Sequence, residues 1–484
     1  MKLDKRNLVF LLLFAVAWDG MNSKAGLKYV AVTDHGSPVR GEDRSLHLAR
    51  RYSIYSPYRK TVFYLSIFSS PSPPPNSLMP AQPDLPQAAP ELLDSMLTRK
   101  FGPEVHNYFS GSPLNRLSFL RHDRAFLAAA LTHPSTAFVA VDDLAPAARD
   151  ASNLAYVSHA DLSAVIGENP FVKTEEETIA AYNSTVRSPL ILFLGLNDTR
   201  HEGFEYKAYK GVPYFAVDIT PKGSNEEAAK GVIETLKAKN MIFLQGRSAM
   251  TLNAADAAIF AQARALLDWN ARNPFCSGCG QPTLSVSAGT KRVCPTTDLA
   301  PGAAARGPCA TRVGVSNLSF PRTDPTVIMA VISHDGSKVL LGRQKRWPAD
   351  WFSTLAGFCE PAESVEEAVR REVWEESGVK VGRVVVHSSQ PWPYPANLMI
   401  GAIGQAVKGG EEINLEHDPE LEQARWFDLE TVRVALKTGT SGLDDAPGEG
   451  RKEGDLRLPG KTAIANQLLQ AVCVGGFLGG ETKI

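Results

Sequence analysis

The chain has 484 residues, of which 44% are hydrophobic and 21% are charged, so a folded core is expected. At roughly 150 residues per domain, this length allows about three domains. The formal net charge of -1 excludes a global basic field that would hold long nucleic acid, although a local basic patch is compatible with it. Six cysteines, four of them in one short region, indicate a reducing compartment and one metal site rather than a disulfide framework.

The first residues are typical of a secretory signal. A basic start precedes an apolar stretch at residues 8–18, which is too short to span a membrane. We favour the alternative that this segment is an extension upstream of a start at Met21 or Met79, because free thiols fit secretion poorly. Residues 69–90 contain eight prolines, which predicts a disordered or polyproline linker. Residues 1–90 are therefore expected to lie outside the folded protein.

Residues 91–272 predict an α/β domain, because strand-like and helix-like periodicities alternate along them. They carry no recognisable catalytic cluster, so we interpret this domain as a scaffold or dimerisation domain. Strands are expected at residues 136–141, 190–194 and 214–219, and amphipathic helices at 226–239 and 253–269.

A loop-rich segment with four cysteines follows at residues 273–322. Cys276 and Cys279 form a C-x-x-C pair, whereas Cys294 and Cys309 are separated by fourteen residues. That insertion can loop out and still bring four thiolates to one tetrahedral zinc, which would be structural because no coordination position stays open. A redox C-x-x-C pair is the alternative, but it does not explain the other two cysteines.

Residues 323–476 predict a further mixed domain. Strands are expected at residues 326–332, 339–342, 384–388 and 398–407, with a hairpin turn at Asp335-Gly336. Residues 437–460 have the composition of an exposed loop, and a closing helix is expected at 462–473.

Acidic residues at fixed spacing mark residues 357–379 of this domain. Ser364 and Glu367 form a capping box that predicts a helix start, and Gly378 is a natural helix stop. Glu372, Glu375 and Glu376 would share one helix face, where their mutual repulsion favours a hard cation with oxygen ligands, Mg2+ or Mn2+. The arginine of the set can orient a neighbouring carboxylate. The other residues of this pattern are Gly357, Glu363, Arg371, Val373 and Val379.

A proline-rich segment at residues 389–395 follows the acidic helix and reads Ser-Gln-Pro-Trp-Pro-Tyr-Pro. Because its prolines cannot donate backbone hydrogen bonds, we expect a stiff loop held off the sheet. Trp392 and Tyr394 offer flat surfaces for a nicotinamide or adenine ring, and Gln390 and Asn397 offer amide groups. A proline-rich surface loop with packed aromatic rings is the alternative.

The 357–379 pattern resembles the Nudix box, G-x5-E-x7-R-E-U-x-E-E-x-G-U. The 389–395 segment looks like the SQPWPFP signature of the NADH pyrophosphatase subfamily, with Tyr394 in place of phenylalanine. Residues 321–325, Pro-Arg-Thr-Asp-Pro after a cysteine ribbon, are also similar to that subfamily. The resemblance covers roughly residues 107–475. It implies an α+β protein whose Nudix α/β/α sandwich, with a mixed sheet, follows a zinc ribbon and an α/β N-terminal domain.

The resemblance assigns roles to individual residues. Glu372 and Glu376 would hold metals, Glu375 would be a ligand or the general base, and the Ala356 carbonyl would be a further ligand. Glu420, six residues before the Trp426-Phe427 pair, would complete the acidic set, with Glu422 as its rival. Gly357, Glu363, Arg371 and Gly378 would be structural. Substrate contacts are expected from Phe320, Gln390, Pro391, Trp392, Pro393, Tyr394, Pro395, Ala396, Asn397 and Ala465.

The activity implied is hydrolysis of the diphosphate of NADH, and more weakly of NAD+, with two or three Mg2+ or Mn2+ ions, and with Glu375 or Glu372 as the base. Removal of an NAD cap from RNA 5′ ends is the alternative with the same chemistry. A non-catalytic nucleotide sensor is a third hypothesis, which the complete set of box glutamates disfavours.

The resemblance also implies a homodimer with no membrane partner, and one structural zinc. The chain looks most like the fungal, peroxisome-associated members, so a peroxisomal or cytoplasmic location is expected. The terminal Thr482-Lys483-Ile484 is a weak variant of a peroxisomal address.

Overall fold

A computed structural model of the chain describes residues 52–54, 63–65, 82–87, 98, 104–200, 203–313, 317–361, 363–443 and 454–474. The chain divides into two compact units, Met1–Met79 and Pro80–Ile484. In the first unit, strands β1 (Tyr52–Ile54) and β2 (Phe63–Leu65) pair antiparallel. A search of the described residues finds no helix with the length and hydropathy of a membrane span. The signal-like start and the terminal tripeptide lie outside the described residues.

The second unit begins with a mixed sheet that carries a hydrophobic core on each face. Its central strands, β3 (Ala137–Asp142) and β9 (Tyr209–Asp218), run parallel, and β7 (Ile191–Asn197) pairs antiparallel with β9, so the three predicted strands are confirmed. Shorter strands are β4 (Ala145–Asp150), β5 (Asn153–Leu154), β6 (Tyr156–Val157), β8 (Phe204–Tyr206) and β10 (Ile242–Phe243). The cysteine segment contains an antiparallel pair, β11 (Leu284–Val286) and β12 (Lys291–Val293). The helices are α1 (Arg124–Thr132), α2 (His159–Ile166), α3 (Glu175–Ala180), α4 (Glu226–Ala238) and α5 (Ala254–Arg272).

The C-terminal sheet is also mixed and is covered by helices on both faces. Its spatial order is β16-β17-β13-β14-β18, with β15 pairing β13. Alternate residues of β13 enter two separate cores, which is why the strand is apolar from Val327 to Ile332. The expected sandwich is confirmed. The strands are β13 (Asp324–Ile332), β14 (Lys338–Arg343), β15 (Leu355–Phe358), β16 (Val381–Trp392), β17 (Asn397–Ala406), β18 (Gln423–Asp428), β19 (Thr440–Ser441) and β20 (Leu458–Pro459), and the helices are α6 (Val365–Ser377), α7 (Leu429–Thr438) and α8 (Ile464–Cys473).

Two expectations need correction. Residues 82–87 were expected in the linker, yet Leu85 packs on a core of the second unit and Gln82 accepts a hydrogen bond from the Lys461 amide (2.9 Å). The proline-rich segment is also not wholly off the sheet, because β16 continues through Pro391 and Trp392. The pattern misled because β16 is an edge strand, where a proline removes no hydrogen bond that a neighbour needs.

The edge of β16 is joined to the N-terminal domain by amide side chains. Asn107 Nδ2 donates to Ser388 Oγ at 3.0 Å and to the Ser389 carbonyl at 2.9 Å. Gln390, only 1% exposed, donates to the carbonyls of Tyr108 and Thr462 and accepts from the Ile464 amide, each at 2.9 Å. One buried amide therefore connects the N-terminal domain, β16 and the start of α8.

Replacing this amide should destabilise the fold. Gln390→Ala leaves two buried carbonyls and one buried N–H without their partner, so we expect a loss of about 2–4 kcal/mol in the free energy of unfolding. Urea denaturation measures it. The control is Gln405→Ala, which removes one exposed bond to the His334 carbonyl and should cost less than about 1 kcal/mol. Equal losses of unfolding free energy in the two variants would contradict the role of Gln390 in joining the domains.

Candidate active site and zinc cluster

Helix α6 begins and ends where its sequence predicts. The Ser364 hydroxyl accepts a hydrogen bond from the Glu367 amide, and the Glu367 carboxylate accepts one from the Ser364 amide, which is a complete capping box. Gly378 ends the helix at φ +73°, a conformation that glycine adopts without strain. Val369 and Val373 pack into the core. This anchoring turns the acidic face of α6 toward β15.

Arg371 organises the carboxylates of this face. Its Nε and Nη2 donate to the two oxygens of Glu363 at 2.7 and 2.8 Å, and its Nη1 donates to Glu372 and Glu375, both at 2.8 Å. Nη2 also donates to the Phe358 carbonyl at 2.8 Å. Hydrogen bonding to Arg371 lowers the pKa of Glu363. The guanidinium therefore fixes three carboxylates and the end of β15 relative to one another.

Gly357 is required by a close approach rather than by backbone freedom. A Cβ atom at this position would lie 2.0 Å from Glu372 Cδ. The missing side chain lets the Glu372 carboxylate lie directly against β15 at Gly357. Burial raises the pKa of Glu372. The box glycine thus makes the space that this carboxylate occupies.

Glu376 is the most constrained acid of the site. Its side chain is 4% exposed, and its Oε2 has no hydrogen-bond partner among the described residues. Burial, reinforced by Glu420 and Glu372, raises its pKa to about 9. A buried carboxylate surrounded by other acids is unfavourable unless a cation or a proton accompanies it.

The structure separates the two rival acids that follow the helix. Glu422 is held by Arg343 in an ion pair, whereas Glu420 receives a hydrogen bond from Gln344 Nε2 at 2.8 Å and acts electrostatically on Glu376. Glu420 therefore belongs to the acidic set, and Glu422 is occupied elsewhere. The metal-binding role of Glu420 stays a prediction.

The acidic set fits a divalent cation by its chemistry. Glu376 Oε2 has no hydrogen-bond partner among the described residues, and Glu420 and Glu372 act on this carboxylate electrostatically. A hard cation would relieve both the burial cost of Glu376 and the repulsion from Glu420 and Glu372. These glutamates do not form as tight a group as the cysteines. A search of the described residues for groups of three or more potential metal ligands finds the four cysteines, whose sulfur atoms lie within 4.8 Å of one another.

The four cysteines come together although the insertion separates them in sequence. Cys276 and Cys309 sulfurs are 3.6 Å apart, and those of Cys279 and Cys294 are 3.5 Å apart. Tetrahedral zinc with bonds of about 2.3 Å places its sulfurs about 3.8 Å apart, so the cluster fits one structural zinc. A hydrogen bond with Thr311 lowers the pKa of Cys309 to about 6, which favours the thiolate that a metal binds.

The inserted residues are held by a buried ion pair. Arg306 Nη2 donates to Asp298 at 2.8 Å, with both side chains almost completely buried. Asp298 also accepts from the Ser184 amide at 2.9 Å, and the Arg306 guanidinium lies 5.1 Å from the Tyr182 ring centre. The insertion therefore packs on the N-terminal domain, and the chain returns to place Cys309 in the cluster.

A cleft of about 670 Å³ lies where the N-terminal domain, the cysteine segment and the C-terminal domain meet. Six of the predicted substrate contacts line it, although whether they bind substrate stays a prediction. They are Phe320, Pro391, Trp392, Pro393, Ala396 and Asn397.

The other predicted contacts do not line this cleft. The Gln390 amide makes hydrogen bonds that join the domains. Ala465 is buried in a core. The Tyr394 ring packs against Phe109 and under the Arg264 guanidinium, 4.4 Å away, and its hydroxyl donates to the Gly246 carbonyl. The structure thus gives Gln390 and Tyr394 contacts between domains. Pro395 is exposed in the adjoining turn.

Arg116, Arg121 and Lys291 also line the cleft and were not singled out from the sequence. No local motif marks them, because Arg116 and Lys291 come from segments far apart in the chain. The nearest sequence signal was general: a local basic patch is compatible with a net charge of -1.

Comparison with known proteins matches three segments in the same order. The NUDIX domain matches residues 322–445, the NADH pyrophosphatase zinc ribbon domain matches 271–300, and the NADH pyrophosphatase-like rudimentary NUDIX domain matches 116–269. An "NAD-capped RNA hydrolase" of Schizosaccharomyces pombe is 36% identical over 383 residues, which cover 78% of this chain and 95% of that protein. The chain belongs to the Nudix hydrolase family, NADH pyrophosphatase type.

Two further relatives of this Nudix hydrolase support the same family assignment. The "NAD-capped RNA hydrolase NPY1" of Saccharomyces cerevisiae is 36% identical over 76% of this chain and 95% of its own length. The mouse "NAD(P)H pyrophosphatase NUDT13, mitochondrial" is 36% identical over 53% of this chain and 67% of its own length. The protein is therefore an enzyme that hydrolyses a diphosphate and requires a divalent metal. Cys309 lies beyond the matched zinc ribbon, and the structure brings it to the cluster as its sequence position after the insertion predicts.

The cysteine cluster predicts selective loss of zinc. Cys309→Ser should release the metal, because serine is a poor zinc ligand, whereas Cys473→Ser, which changes a buried cysteine outside the cluster, should retain it. Elemental analysis of the purified variants measures about one zinc per chain or none. Retention of zinc by Cys309→Ser would contradict a four-cysteine site.

The contact at Gly357 predicts a loss of turnover without unfolding. In Gly357→Ala the new methyl group would displace the Glu372 carboxylate, so kcat should fall by about 10-fold or more. The control is Gly231→Ala in α4, where the added Cβ meets nothing and should stabilise the helix by about 1 kcal/mol. Steady-state kinetics and thermal melting of both variants test this, and unchanged kcat in Gly357→Ala would contradict it.

Proposed function

We propose that this enzyme hydrolyses the diphosphate of NADH, and more weakly of NAD+, to AMP and the reduced or oxidised nicotinamide mononucleotide. The observation that carries the proposal is the position of the aromatic cleft beside the acidic helix. Asn397 in the cleft wall donates to Thr326, and Thr326 lies opposite Phe358, whose carbonyl Arg371 holds. A base in the cleft and a diphosphate at the box glutamates would therefore be within reach of one dinucleotide.

The reactive role is assigned to Glu375. Its side chain is more exposed than that of Glu372, 38% against 14%, and Arg371 contacts only one of its oxygens. The other oxygen accepts no side-chain hydrogen bond from any described residue and could accept a proton from the attacking water, while Arg371 fixes the direction of the carboxylate. Glu372, pressed against Gly357, is better placed to hold a cation than to move a proton.

The metals are proposed to be two or three Mg2+ or Mn2+ ions. Glu372, Glu376 and Glu420 would hold them, with the Ala356 carbonyl and Glu375 as further ligands. When bound, such ions would neutralise the diphosphate oxygens and acidify the attacking water. Phe320 and Trp392 would orient a nicotinamide or adenine ring in the cleft by stacking.

Removal of an NAD cap from RNA is the second candidate. The chemistry is the same, with a 5′-monophosphorylated RNA as a product in place of AMP. Two relatives that resemble the chain over most of their length are named for this activity, and the cleft is large enough to admit more than one base. A non-catalytic sensor is disfavoured, because all box glutamates are present.

A homodimer and a peroxisomal or cytoplasmic location are further proposals, supported by the family resemblance alone. Size-exclusion chromatography with light scattering tests the first. Imaging of the protein tagged at either end tests the second.

Product analysis tests the proposed reaction. With Mg2+ or Mn2+, NADH should give AMP and the reduced mononucleotide faster than NAD+, FAD or ADP-ribose are cleaved. Glu375→Gln should reduce kcat by about 10²- to 10⁴-fold with little change in KM, because only the proton acceptor is lost. Chromatography and steady-state kinetics measure both.

The control variant is Glu366→Gln on the same helix, outside the acidic set, which should keep full turnover. Preference for ADP-ribose over NADH would overturn the substrate. Full activity of Glu375→Gln would overturn the role of that residue, and absence of turnover with either metal would favour the sensor.

A further inference from the structure

The cleft has a strongly basic wall. Arg116 and Arg121 contribute to it from the N-terminal domain, and Lys291 from the cysteine segment. No aspartate or glutamate is among the described residues that line it. Glu175 lies behind this wall and accepts hydrogen bonds from Ser287 at 3.3 Å. The cleft therefore presents cationic groups that the surrounding acids do not neutralise.

Arg322 shows the contrast within the same cleft. It is paired with Asp324 at 3.1 Å and is largely exposed. The side chains of three other cleft residues, by comparison, form no ion pair or hydrogen bond with any described residue: Arg116, Arg121 and Lys291. The Lys291 ammonium lies 5.8 Å from the Phe320 ring centre. Three cations thus face the cleft with their donor groups unused.

Arg121 bears the largest cost of this arrangement. Its Nε is buried and has no hydrogen-bond partner among the described residues. Burial lowers the pKa of Arg121, and the positive charge of Arg116 lowers it further. A buried donor without an acceptor beside a like charge is destabilising. An anion between the two guanidinium groups would remove both penalties, and phosphate matches their planar donors.

The aromatic rings of the cleft suggest what carries the anion. Phe320 and Trp392 line the same space as the arginines, and together they offer a stacking surface beside a phosphate contact, the combination that binds a nucleotide. The volume of about 670 Å³ is sufficient for such a ligand.

The cleft also lies beside the hydrolytic centre. Strands β17 and β15 flank β13, with Asn397 opposite Asp324 and Phe358 opposite Thr326. Two strand spacings separate them by about 10 Å. A substrate whose diphosphate lies at the box can thus reach the basic wall with a neighbouring group.

We propose that Arg116 and Arg121 form a binding site for a phosphate group of a nucleotide that is distinct from the diphosphate being cleaved. Two sources share this chemistry: the 2′-phosphate of NADPH, and the first phosphodiester of an RNA chain attached to the NAD cap. The phosphate site stands independently of the proposed function, whereas its occupancy by part of the substrate rests on that function.

Direct binding tests the site. Inorganic phosphate is titrated by calorimetry into the full-length, zinc-loaded protein without added magnesium or manganese. Arg121→Gln should weaken phosphate binding by about 10-fold or more, because a charge-assisted contact is lost. Arg149→Gln, an exposed arginine of the same domain with the same change in charge, should leave the affinity unchanged.

Thermal melting separates binding from folding in the same variants. Without phosphate, Arg121→Gln should melt at or above the temperature of the unchanged protein, since it removes the like-charge pair. Added phosphate should raise the melting temperature of the unchanged protein and of Arg149→Gln only. Absence of phosphate binding by the unchanged protein, or equal affinity in Arg121→Gln, would overturn the site.

Kinetics then identify the source of the phosphate. The values of kcat/KM for NADH, NADPH and NAD-capped RNA are compared in the unchanged protein and in Arg121→Gln. A loss confined to NADPH assigns the 2′-phosphate, and a loss confined to capped RNA assigns the phosphodiester. If phosphate binding weakens but kcat/KM changes for none of the three substrates, the proposal that part of the substrate occupies this phosphate site is wrong. If no substrate is cleaved at all, the proposed function fails while the binding result stands.

Discussion

The repulsion among closely packed carboxylates is the constraint on which the active site depends. Arg371 opposes it from one side by holding Glu363, Glu372 and Glu375 with one guanidinium. It does not reach Glu376, whose buried oxygen has no partner among the described residues. The fold therefore stabilises part of the acidic set through protein contacts and leaves the rest to be stabilised by a cation. Affinity for a divalent metal follows from this incomplete compensation.

Domain assembly positions the second half of the site. The edge strand β16 would expose unpaired backbone groups, and the N-terminal domain covers it through Asn107 and the Gln390 amide. The residues that follow on the same strand, Pro391 and Trp392, enter the cleft wall. The segment that resembles a substrate signature thus has two roles along its length. One residue joins domains while its neighbours face the cleft, so the rudimentary domain determines where the aromatic wall lies.

Local chemistry made the acidic helix predictable, because capping at Ser364, the stop at Gly378 and the spacing of the glutamates all act within a few residues. Long-range contacts made other features unpredictable. The choice between Glu420 and Glu422 depends on Gln344 and Arg343, which lie 76 and 79 positions away in sequence. The proline segment was misjudged because a sequence does not reveal which strand lies at an edge. The Arg116–Arg121 pair carries no motif, since its meaning comes only from the cleft that other domains complete.

Although the net charge is near zero, acidic and basic groups are separated between the box and the cleft, and this separation would orient a substrate. Acidic groups concentrate at the box, where they require cations. Basic side chains that have no partner in the described part of the chain line the neighbouring cleft. If a dinucleotide bound with its diphosphate in the cleft, no metal ion would contact that diphosphate. If only its bases lay near the glutamates, Arg116 and Arg121 would have no phosphate to bind. With cations at the box, both regions favour phosphate, but only the box has a carboxylate positioned to accept a proton. The same electrostatic contrast that holds a second phosphate would therefore also keep the scissile bond at Glu375.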